Sequence, residues 1–166
     1  MKKCKNGIDA KVMELFSDPF PFNDFFLYVS NNVTLEQTIG VLGILSPAFF
    51  EADGCIFWEN IESIGYKEGR KGFIANKRLD KERYFNLFCV EDFFQKYEEV
   101  NNLEETEEEG GIKYKELKII FARQIEKYWR LSLRDCYPEK KFEFEISGNG
   151  IWPEDGVCLT FWQVNE

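Results

Sequence analysis

The stretch Lys113–Asp135, KYKELKIIFARQIEKYWRLSLRD, and the two alternating runs behind it, Phe142–Ile146 (FEFEI) and Val157–Trp162 (VCLTFW), decide the architecture. Tyr114, Leu117, Ile120, Phe121, Ile125, Tyr128 and Trp129 recur at three- and four-residue spacing. That spacing gathers them on one side of an α-helix, as an apolar face wide enough to lie on a sheet. Pro138 stands just past the end expected for this helix. Phe142, Phe144 and Ile146 then alternate with Glu143 and Glu145, the period of a half-buried strand. Ser147–Gly156 reads as a turn region, and Val157, Leu159 and Phe161 alternate with Cys158, Thr160 and Trp162. The two runs are expected to pair antiparallel. This helix-strand-strand unit sets the expectation of a single α+β domain spanning 1–166, with an antiparallel sheet packed against helices.

Upstream, Phe49–Trp58 is dense in Phe, Ile and Cys and interrupted at Gly54, which predicts a strand or a pair of short strands meeting at a turn. Thr34 and Gln37 form a capping-box signature that opens a helix through Ile39, Leu42 and Leu45, closed before Pro47. Asp24–Ser30 is apolar without a clear period. Asp9 is placed to cap a short helix carrying Val12, Met13 and Phe16, closed by Pro19 and Pro21. Residues 60–78 read as loop, with a small hairpin around Gly69 and Gly72. Val90, Phe93, Phe94 and Tyr97 predict a helix over Val90–Tyr97, while 80–89 fits helix or strand. The acidic run ending in Gly110-Gly111 predicts a mobile loop over 101–112.

Composition narrows the function classes. A chain of 166 residues with 17 Phe and 4 Trp can bury a large aromatic core without disulfides or a metal. The net charge of -9 disfavours nucleic acid, whose phosphates call for a cationic surface, and suits a basic protein partner better. Five widely spaced cysteines without a C-x-x-C pair suggest reduced thiols, with no metal and no cofactor expected. The basic start is broken by Asp9 and Lys11 before an apolar segment forms, and Ile39–Phe50 is too short to cross a bilayer. The expectation is a cytoplasmic protein with no membrane segment.

The chain has no histidine, which removes the commonest general base and metal ligand together and turns the reading away from catalysis. Arg70-Lys71-Gly72 departs from a phosphate loop, because Phe73-Ile74-Ala75 follows where Ser or Thr should lead into a helix. Two carboxylate sets are left for an enzyme or small-ligand alternative: Glu143 and Glu145 near Trp162, and Glu51 and Asp53 near Trp58.

Charge is segregated. Residues 91–109 carry a net -8 and 113–135 a net +4. Glu98, Glu99, Glu104, Glu105, Glu107, Glu108 and Glu109 are the candidate partner-binding residues. Arg123, Lys127, Arg130 and Arg134 form a candidate anion or partner face, expected to project into solvent opposite the apolar stripe. A structural-subunit alternative would use Ile119 and Leu133, apolar on that charged side.

Trp129, Leu133, Tyr137-Pro138, Phe142, Glu145, Gly156, Thr160-Phe161 and Gln163, with Phe50–Phe57, resemble a family of small uncharacterised bacterial proteins, and that resemblance implies a cytosolic setting and no particular chemistry. In size and acidity the chain is also similar to immunity proteins that neutralise basic toxins. The function expected is a non-catalytic protein-binding module, an immunity or inhibitor protein among the forms it could take.

Overall fold

The computed structural model describes residues 7–16, 20–58, 77–94 and 109–164. The expected hairpin around Gly69 and Gly72, Tyr97, and the acidic residues Glu98, Glu99, Glu104, Glu105, Glu107 and Glu108 lie outside the described residues, as does the side chain of Glu109.

The first three helix starts are set by local side-chain caps. Asp9 accepts from the Lys11 amide and opens a turn of 3-10 helix at Ala10–Leu15. The Asp24 carboxylate accepts from the Phe26 and Leu27 amides and starts α1, Phe25–Asn32, which settles the ambiguous Asp24–Ser30 run as helix. Thr34 and Gln37 form the reciprocal capping box of α2, Leu35–Leu45. A hairpin follows, with β1 at Phe49–Ala52 and β2 at Cys55–Trp58. Its turn places Asp53 and Gly54 at φ 51° and 71°, consecutive left-handed positions that match the right-handed twist of the two strands.

Residues 80–89 divide between two elements, α3 at Arg78–Phe85 and β3 at Phe88–Cys89. Residues 90–94 are helical, in line with the start of the helix expected there. The long helix α4, Glu109–Cys136, begins four residues ahead of Lys113. Positions 109–112, expected as the end of the acidic loop, are therefore its first turn. The strands β4, Phe142–Ser147, and β5, Cys158–Gln163, complete the chain.

β4 and β5 pair antiparallel from Phe142↔Gln163 to Ser147↔Cys158, as their alternation predicts. β3 joins the other edge of β5, giving the order β3-β5-β4 beside the separate β1-β2 hairpin. Being central, β5 is covered on both faces. Phe161 meets Trp129 of α4, and Thr160 donates from its hydroxyl to the Arg83 carbonyl of α3 at 2.7 Å.

The two sheets are joined through side chains of α3. On β5 the odd-numbered residues turn their backbone groups away from β4, and β3 is too short to pair with those of Phe161 and Gln163. Asn86 donates to the Phe161 and Ile56 carbonyls at 3.1 and 2.9 Å. Glu82 accepts from the backbone amides of Ile56 at 2.7 Å and Gln163 at 2.8 Å, and from the Gln163 side-chain amide. Both residues are fully buried. One turn apart on α3, they take the place of a strand between β2 and β5.

Trp129 is the centre of the core, ringed by Trp58, Phe49, Phe88 and Phe161 with centroids 5.4 to 6.0 Å away. The buried face of α4 runs through Lys118, Ala122, Ile125, Trp129 and Leu133. It is rotated from the face read in the sequence, and Tyr128 is exposed. The rotation follows from Lys118, whose ammonium reaches the Glu91 carboxylate at 3.1 Å while its stem fills the interior. Leu133 is thus core rather than surface, and Ile119 packs against the same cluster.

Cys55 lies with Phe57 in a small second core and is pushed up to about 11 from 9.0, first by burial and then by the nearby Glu82 carboxylate. A raised folded value means that the unfolded chain loses this proton first. The contribution is complete below pH 9 and is lost as pH rises toward 11, so stability should fall across that window. The full effect is roughly 2–3 kcal/mol. Cys55→Ala should flatten this part of the alkaline profile in urea denaturation.

Candidate functional site

The four basic residues singled out on α4 do not all stand free in solvent. Arg123 and Arg134 are exposed. Arg130 instead lies over the Phe144 ring at 4.4 Å, donates to the Phe142 carbonyl at 3.1 Å and pairs with Glu126 at 2.8 Å. It fastens α4 to β4 and is not a free contact residue. Lys127 lies 5.4 Å from the Tyr128 ring.

The carboxylate sets also separate. Glu51 pairs with Lys140 at 2.8 Å, and Asp53 occupies the hairpin turn, while Trp58 is buried against Trp129. Glu143 is exposed and faces Trp162 across the strands. Glu145 is drawn into a polar cleft, where it accepts from Arg83 Nη2 at 2.6 Å and Nε at 2.9 Å. Arg83 in turn lies 5.8 Å from the Trp162 ring.

This cleft, about 440 Å³, is lined by Asp80, Arg83, Tyr84, Glu145 and the Gly150–Trp152 loop. Trp152, 76 % exposed and preceding a cis proline, stands 6.0 Å from the Tyr84 ring. Of its lining residues Glu145 was legible as a candidate carboxylate and Trp152, like Trp58 and Trp162, as a tryptophan that could line a pocket. The others lie in α3 and in a turn region, segments without an apolar period.

A second thiol–carboxylate group lies at the start of β5. The Glu91 carboxylate accepts from the Val157 amide at 2.9 Å and takes the Cys89 thiol at 3.5 Å. A side chain at Gly156, φ 75°, would collide with that carboxylate. Cys89 Sγ and carboxylate oxygens of Asp92 and Glu154 fall within 4.8 Å of one another, the one set among the described residues whose spacing would suit a metal ion.

More than half of the exposed large apolar side chains among the described residues lie on or beside α1 and α2. Neither helix has a buried residue. Phe26 and Val29 are 79 % and 41 % exposed, three residues apart on α1, and Phe22, 59 % exposed, lies in the segment just before that helix. Leu35, Ile39 and Leu42 are 73 %, 58 % and 56 % exposed and form the corresponding stripe on α2. Ile44 and Leu45 alone among the α2 apolar residues reach the core, and the Trp129 indole donates to the Ile44 carbonyl at 2.7 Å. Tyr28 holds α1 against Phe16 and Phe20 at 5.0 and 5.7 Å. No lysine or arginine occurs from residue 12 to residue 66, so Asp18, Asp24 and Glu36 are the charges nearest these stripes in sequence. That absence, together with the Leu35, Ile39, Leu42 period, is the signal by which the surface could have been found.

No helix among the described residues is long and apolar enough to cross a membrane. No family model matches the chain, and no curated protein or solved structure matches it.

Proposed function

We propose that this protein is a non-catalytic protein-binding module whose α1–α2 surface holds a partner presenting apolar side chains within a basic rim. The observation that carries this reading is the run of exposed apolar side chains on two consecutive helices, Phe26 and Val29 on α1, with Phe22 just before it, and Leu35, Ile39 and Leu42 on α2. Exposed apolar residues scattered singly need no explanation, but rows of them on adjoining helices mark interaction surfaces. The partner's charge is argued from the segment itself, which has acids and no basic residue. An inhibitor or immunity protein is the form this takes when the partner is a basic enzyme.

The test begins with a partner captured on the immobilised protein and purified, whose affinity is then measured by calorimetry. A variant carrying Phe26→Ser, Leu35→Ser and Ile39→Ser should bind at least about thirtyfold more weakly. Its unfolding midpoint in urea should stay near that of the parent, since these side chains are exposed. Unchanged affinity would remove the surface from the account.

The cleft supports a second reading, a small polar ligand stacked on Trp152 and held by Asp80 and Arg83, because its volume and its exposed ring suit such a ligand. Under this reading a panel of small saccharides and amino acids should contain a compound that changes tryptophan emission. Trp152→Ala should abolish that response. A panel without effect would leave the protein-binding reading alone.

A further inference from the structure

We propose that Cys89 and Cys158 are a modification site, a thiol pair that closes reversibly into an intrachain disulfide tying β3 to β5. The two residues face each other across the antiparallel pair. The next rung is a hydrogen-bonded one, with the Val90 amide donating to the Val157 carbonyl at 2.9 Å. The Cys89–Cys158 rung is therefore of the non-hydrogen-bonded kind, in which α-carbons approach to about 4.5 Å and side chains come closest. That separation lies within the span a disulfide bridges. Both sulfurs turn toward the same acceptor, the Asp155 carbonyl, at 3.7 and 3.3 Å.

Access assigns the order of events. Cys158 is fully buried and Cys89 partly exposed, so an external disulfide meets Cys89 first. The Cys89 thiolate attacks one sulfur of a low-molecular-weight disulfide, breaking its S–S bond and releasing one reagent thiol. The Cys158 thiolate then attacks the Cys89 sulfur, forming the intrachain bond and expelling the second reagent thiol. Two electrons pass to the reagent, and the two protein thiol protons end on the two reagent thiols. Glu91, Asp92 and Glu154 surround Cys89 with negative charge, so an uncharged reagent should react faster than an anionic one.

The experiment treats the reduced full-length chain with bis(2-hydroxyethyl) disulfide in the presence of EDTA, which keeps metal capture out of the thiol count. It is followed by alkylation in denaturant and peptide mass mapping. The expected product has a cross-link between the peptides holding Cys89 and Cys158, the linked pair being lighter by two hydrogens than the two peptides together, and reverts with dithiothreitol, while the exposed Cys136 takes only the mixed disulfide. Its Tm should rise by roughly 5 °C or more, because the bond closes a long loop. Cys158→Ser should stop at the mixed disulfide on Cys89. Recovery of both residues fully alkylated from the oxidised parent would overturn the proposal, as would a parent that itself stops at the mixed disulfide.

Discussion

Replacing Glu82 with alanine is expected to lower the unfolding free energy by at least about 3 kcal/mol, since three buried donors are orphaned at about 1–3 kcal/mol each. The expectation follows from what remains behind. The backbone amides of Ile56 and Gln163 and the Gln163 side-chain amide lose their common acceptor, and the fully buried site leaves water no easy route to replace it. Glu82→Gln keeps the volume but turns one acceptor into a donor aimed at other donors, so it should recover only part of the loss. Chemical denaturation of the three proteins measures the series. A cost below about 1 kcal/mol for Glu82→Ala would show that the two sheets do not depend on this bridge.

Trp129→Ala is expected to cost at least about 3–5 kcal/mol, the range for truncating a large aromatic in a packed core. Four rings lose their neighbour at once, Trp58, Phe49, Phe88 and Phe161. The Ile44 carbonyl also loses its indole donor, so α2 should loosen along with the core. Trp129→Phe restores part of the ring contact but not the donor. Its cost should lie between, with extra amide exchange in α2 as the sign of the missing hydrogen bond.

The parts of this fold that were legible from sequence are those whose signals are local. Thr34 with Gln37, Asp53 with Gly54, and the alternation of Phe142, Phe144 and Ile146 each specify a backbone geometry within a few residues. What the sequence concealed depends on polar residues placed inside. Glu82 and Asn86 make α3 look like a surface helix, although they are its buried face. Lys118 reads as solvated, and its burial against Glu91 rotates the core face of α4 toward Leu133. Arg130 reads as a free charge and instead covers Phe144. For Glu82, Asn86 and Lys118 a partner distant in sequence offsets the cost of burial, and no periodicity reports it.

The candidate site was hidden for the opposite reason. Leu35, Ile39 and Leu42 have the spacing of a core-facing stripe, and an apolar stripe is ordinarily assigned to the interior. Here the core is already filled by α4 and the sheets, and only Ile44 and Leu45 of α2 join it. The stripe left outside is what turns the reading toward binding. Glu145, the one candidate carboxylate that enters a cleft, arrives there paired with Arg83, and that pairing favours a structural or ligand-holding role over acid–base chemistry.

Hydrogen-deuterium exchange on the protein alone and with its purified partner tests the central claim most directly. Slowed exchange confined to residues 22–45 is the predicted result, since the α1–α2 stripes would leave solvent on binding. Slowed exchange at 80–84 and 145–152, with 22–45 unchanged, would contradict the account and place recognition at the Trp152 cleft.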